Sequence, residues 1–192
     1  MKRLAVFSLV VFAAVNLAFV VPVRHVCGVE VDLKNSPTSY IDWSDHGRLS
    51  WNDFKGNAKN WGYVSALTAS AIEYKYDCDG EDIAVNAKAI FIPSESWVKK
   101  ESKNQYILAH EQLHFDITEV YARKLRMRLT KEVKDCDDVY KISKIADKVM
   151  EEWKQEQKKY DMETKHSINK EMQAFWLDKV AGDLKVYAAY AL

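Results

Sequence analysis

The chain has 192 residues, about the length of one domain, and carries 28 basic against 28 acidic side chains. With no net charge there is no electrostatic case for nucleic acid, which requires a basic excess on one face. The length suffices for a hydrophobic core without staples, and the local basic run Arg123, Lys124, Arg126, Arg128, Lys131 and Lys134 reads as the solvated face of a helix.

Lys2 and Arg3 precede an apolar run, Leu4 to Val23, broken only by Ser8, Asn16 and Pro22. Positive charge followed by an apolar stretch is the export pattern, and the basic end stays in the cytoplasm. Residues 1–28 are expected to be a signal peptide cleaved near Val26-Cys27-Gly28, or an uncleaved anchor held in the inner membrane by residues 4–23. Residues 29–192 then form one exported domain, periplasmic or secreted. Arg24-His25-Val26 before Cys27 do not suit lipid attachment. In an oxidising compartment Cys78 and Cys136 are a candidate disulfide.

After the turn signal Asn35-Ser36-Pro37, apolar alternation marks two strands. Ile72, Tyr74 and Tyr76 define the first; Ile83, Val85, Ala87, Ala89 and Phe91 define the second. Cys78-Asp79-Gly80-Glu81 joins them as an antiparallel pair. Beyond Pro93 the pattern turns helical: about 102–129, about 138–159 and about 167–189. Strands first and helices afterwards predict an α+β fold, not a parallel βαβ sheet.

His110 and His114 lie four apart in the first helix, on one face and one turn apart. Two imidazoles so spaced can share one Zn²⁺. Glu111 projects beside them as a general base for a water attacking a carbonyl. A catalytic site needs a third protein ligand and one open position. Asp116 and Glu119 lie on other faces of the helix. Of the remaining histidines, His25 belongs to the export segment and His46 precedes the strands. His166 sits between the second and third helices and is the favoured third ligand, ahead of Asp161 and Glu171. Asp116 is a candidate to orient a ligand imidazole or a solvated carboxylate. Tyr160 is a candidate donor to a developing oxyanion or a packing aromatic. Trp51, Trp97 and Trp176 read as core or groove walls.

The segments LSWNDFKG at 49–56, SESWV at 94–98, LAHEQLHFDITEVYARKLR at 108–126 and YDMETKH at 160–166, with Gln173 and Trp176 beyond, resemble the DUF922 proteins, exported bacterial proteins described as zinc-dependent proteases. The resemblance implies a zincin-like fold, His110, Glu111 and His114 in metal-site roles, and His166 as third ligand. The family has glycine after that histidine where this chain has Ser167. The expected function is hydrolysis of a protein or peptide substrate. The alternative is a non-catalytic zincin-fold module for binding or structure in the cell envelope, although a site that only binds metal has no need of Glu111. The oligomeric state is not legible in the sequence.

Overall fold

The computed structural model describes residues 39–44, 47–62 and 64–192. The expectations for 1–28, including His25 and Cys27, and for His46 lie outside the described residues. Among those described, no helix is long and apolar enough to cross a membrane.

Among the described residues, five strands precede three helices. The strands are β1 (Ile41–Asp42), β2 (Ala66–Leu67), β3 (Ser70–Asp79), β4 (Asp82–Phe91) and β5 (Trp97–Val98); the helices are α1 (Gln105–Glu132), α2 (Val139–Thr164) and α3 (Lys170–Val186). This is the expected α+β order, with a small antiparallel sheet and then three helices. β3 and β4 form the expected hairpin, in register from Ser70 opposite Phe91 to Asp79 opposite Asp82. Gly80 turns it with a left-handed φ of +63°, a conformation that costs glycine little. β1 pairs with the far edge of β4, and β2 pairs antiparallel with β5.

Strand alternation decides what each face buries. Ile72, Tyr74, Ala87, Ala89 and Phe91 belong to the main core with Leu113, Ile117 and Val120 of α1. Ala71, Ile90 and Ile92 join Val64, Leu67, Ala69 and Trp97 in a smaller core. Fully burying each large apolar side chain contributes about 1.5–3 kcal/mol.

The Asn104 side chain caps α1 by accepting from the Ile107 amide, 2.9 Å away. Every residue from His110 to Arg123 is buried, so the helix is enclosed by sheet and helices and its polar groups must find partners inside. Asp116 accepts from Trp43 Nε1 at 2.8 Å, Arg48 Nη1 at 3.0 Å and Gln112 Nε2 at 2.8 Å. It is therefore not solvated, and among the described residues it bonds to no imidazole; it fastens the chain around Trp43 and Arg48 to α1. The basic run also divides differently from expectation. Arg123 and Arg126 are buried and share Glu119 Oε1 at 2.9 and 2.6 Å, while Lys131 and Lys134 are exposed.

α2 extends past the expected end near 159 to Thr164. Its buried apolar face of Ile142, Ala146, Val149 and Trp153 continues as Gln157, Tyr160, Asp161 and Thr164, at helical spacing. The chain then passes through three consecutive left-handed residues, Lys165, His166 and Ser167, with φ of 50°, 51° and 73°. Cys78 and Cys136 form a disulfide, Cα to Cα 5.8 Å, tying the hairpin tip to the α1–α2 connection.

Candidate metal centre

α1 and α2 bring three donors together. His110 Nε2 lies 3.3 Å and His114 Nε2 3.1 Å from Asp161 Oδ1. All three residues are buried, and their donor atoms lie within 4.8 Å of one another, a group that can hold a metal ion. The separations are longer than the roughly 2.7–2.9 Å of charge-assisted hydrogen bonds and match the donor-to-donor edge of about 3.3 Å implied by tetrahedral coordination at about 2.0–2.1 Å.

His166 reaches this group through the carboxylate. Its Nδ1 lies 3.3 Å from Asp161 Oδ1, and it lines the same cavity. The mutually close donor group thus contains Asp161, the second choice from sequence, with His166 beside it. Glu171 is exposed on α3.

Tyr160 occupies an unexpected position. It is fully buried, and its hydroxyl lies 2.7 Å from His110 Nδ1 and donates to Gln173 Oε1 at 2.8 Å. This is the side of the imidazole away from Asp161, and there the hydroxyl meets a histidine and an amide. Burial, aided by the charges of Glu111 and Asp161, holds the phenol well above its ordinary range. Trp176 packs against Tyr160 at 5.3 Å between ring centroids.

Two glutamines face the same histidines: Gln173, named in the sequence only as part of the family resemblance, and Gln157, which the sequence did not single out. Gln173 Oε1 lies 2.9 Å from His110 Nδ1, and Gln157 Oε1 lies 2.6 Å from His114 Nδ1.

The electrostatics suit a cation. Burial opposes charge on His114, but Asp161, Glu111 and the Gln157 hydrogen bond together raise its pKa to about 9. Burial alone would raise Asp161; the His114 charge and hydrogen bonds from His110, His114 and His166 outweigh it and hold the carboxyl well below its usual range. Glu111 is 4% exposed, and its Oε2 has no hydrogen-bond partner among the described residues. An orphaned buried carboxylate oxygen is costly unless something else meets it. Beside it is a cavity of about 20 Å³, walled by Val64 to Leu67, Ile107 and the donor residues, with room for about one water.

The fold and this cluster define a class: an α+β protein with a buried two-histidine, one-aspartate group able to take a metal ion. A family model described as "bacterial protein of unknown function (DUF922)" matches residues 55–167, more than half of the chain, and the chain belongs to that family. The matched stretch holds His110, Glu111, His114, Asp161 and His166 and ends before Gln173. No curated protein and no solved structure matches the chain.

Proposed function

We propose that this chain is an exported zinc-dependent peptidase with a zincin-like site. The observation that carries the reading is the orphaned Glu111 Oε2 beside the convergent His110, His114 and Asp161 donors. Two imidazoles and one carboxylate suit zinc and leave a fourth position open, the pattern of a catalytic site. A zinc ion held there supplies a Lewis acid and makes water nucleophilic near neutral pH. Glu111 takes the proton of the attacking water and passes it to the leaving amine. His110 and His114, buried and fixed on their Nδ1 sides, keep their Nε2 lone pairs on the reacting side. His166 braces Asp161.

A peptide substrate is supported by β2, which lines the cavity. Ser65 C=O accepts from Lys99 N–H, so the alternation of an antiparallel ladder turns the Ala66 N–H and C=O away from β5. Such an edge suits the backbone of an extended peptide. Export is supported by the basic-then-apolar pattern of residues 1–28 and by the disulfide. One observation favours a non-catalytic envelope module instead: the cavity has space for little more than a water.

The test is metal content together with cleavage of a mixed peptide library. The peptidase reading expects about one zinc per chain and cleavage that disappears in Glu111→Gln while zinc is retained. Undiminished cleavage in that variant overturns the mechanism, and zinc without cleavage in the parent chain selects the module.

A further inference from the structure

We infer that Gln157 and Gln173 are positioning residues that accept from Nδ1 of both imidazoles and so turn each Nε2 toward Asp161, where it offers its lone pair once zinc is bound, so that the metal site is assembled by amides from the α2–α3 arm. The inference rests on the metal reading above and goes beyond it in assigning what orients the ligands.

Gln157 settles its own orientation. Its amide nitrogen donates to the His114 carbonyl at 2.8 Å and to Thr118 Oγ1 at 3.2 Å. A backbone carbonyl only accepts, so the nitrogen belongs at that end. The atom 2.6 Å from His114 Nδ1 is therefore the amide oxygen, which can only accept, and Nδ1 must carry a proton. Thr118 is held in turn by Ser70 Oγ at 2.8 Å, so the clamp is anchored to β3.

At His110 the Tyr160 hydroxyl has one proton, and Gln173 Oε1 at 2.8 Å is a nearer acceptor for it than the His110 carbonyl at 3.3 Å. Its oxygen then accepts, with Gln173 Oε1, from His110 Nδ1 at 2.7 and 2.9 Å. A ligating imidazole ordinarily gives its other N–H to a carboxylate, carbonyl or water. Here neutral amides fill that role, leaving the negative charge of the site on Asp161 and Glu111.

Gln173 also offers a clean substitution, because its Nε2 has no partner among the described residues. Gln173→Glu keeps the acceptor and loses no hydrogen bond, whereas Gln173→Leu removes the acceptor at similar size. Zinc affinity, by competition with a chromophoric chelator, is measured on the full chain, on these variants and on Gln157→Leu, with metal-free thermal unfolding in parallel. Gln173→Leu and Gln157→Leu are expected to weaken zinc roughly 10–100-fold, and Gln173→Glu to bind at least as tightly as the parent. A purely structural role would lower unfolding temperatures and leave the affinity of folded protein unchanged; that result overturns the inference. So does equal loss in Gln173→Glu and Gln173→Leu. Should the leucine variants not fold, long-range ¹H–¹⁵N NMR of the zinc-loaded parent chain decides: protons on Nδ1 of both histidines are expected, and ligation through Nδ1 at either overturns it. A parent chain that takes up no zinc overturns the metal reading itself, an outcome distinct from zinc uptake that ignores the glutamines.

Discussion

Asp161 is where the site's charge and geometry meet, because one oxygen faces His110, His114 and His166. Removing it takes away a donor and leaves His114 buried without its main counter-charge. Asp161→Ala is therefore expected to weaken zinc by about 100-fold or more, above the 10–100-fold typical of losing an outer partner. His166→Ala is expected to fall within that lower range. Chelator competition on both variants checks the order; His166→Ala as the more damaging change would return the third-ligand role to His166. The His114 pKa of about 9 sets a pH dependence. Ligation requires the neutral ring, so zinc uptake at pH 7 should release a proton, and affinity should rise with pH until about 9. In the metal-free protein the sign is opposite. A folded pKa above the usual histidine value contributes stability that is complete below about 6.5 and is lost as pH rises through about 9. Calorimetry in buffers of different ionisation enthalpy measures the proton release; zinc affinity independent of pH between 6.5 and 9 contradicts it.

The arm from Gln157 to Gln173 shows which elements were legible in the sequence. Alternation predicted the β3–β4 hairpin because Ile72, Tyr74, Ala87 and Ala89 are apolar and face one core. The four-residue spacing put His110 and His114 on one helix face for equally local reasons. The end of α2 was not legible. Tyr160-Asp161-Met162-Glu163-Thr164 looks like a polar turn, yet Asp161 and Thr164 are polar because their partners are buried. The continued spacing of Gln157, Tyr160, Asp161 and Thr164 was the available signal. Gln157 and Gln173 gain meaning only from histidines 43 and 63 residues away, a relation that local pattern does not encode. Ser167 sits at φ 73°, and its Cβ carries the left-handed cost. Ser167→Gly is expected to stabilise the metal-free protein by about 0.5–1 kcal/mol, the relief of that strain less the entropy glycine adds to the unfolded chain. Denaturant midpoints measure this, and unchanged or lower stability would show that the turn is held without strain. In α1, Glu119→Gln leaves Arg123 and Arg126 buried without their shared carboxylate. A loss of about 3–5 kcal/mol is expected, and a loss below about 1 kcal/mol would show that the two guanidiniums are compensated by other groups.

Across the whole molecule α1 acts as a spacer between two fastenings. The donor histidines lie in its first half, and the disulfide closes the connection beyond its last turn. About 18 residues of helix separate His114 from Glu132, roughly 27 Å at 1.5 Å per residue. The metal group joins α1 to α2 at one end, and the disulfide joins the β-hairpin to the α1–α2 connection at the other. Features so far apart, with no shared partner, should contribute additively. The disulfide closes a loop of 58 residues, for which chain entropy sets a stabilisation of about 4 kcal/mol, with roughly 2–4 kcal/mol usual in practice. Zinc bound only by the folded state adds stability that grows with the logarithm of its concentration. The Cys78→Ser, Cys136→Ser double variant is therefore expected to unfold roughly 2–4 kcal/mol more easily, yet to bind zinc with parental affinity and to gain the same stabilisation from it. Denaturant unfolding of parent and variant, each with and without zinc, gives the four stabilities that decide the matter. A zinc increment that shrinks when the disulfide is removed would mean that α1 transmits strain between its ends, and the two fastenings would then have to be treated as one coupled unit.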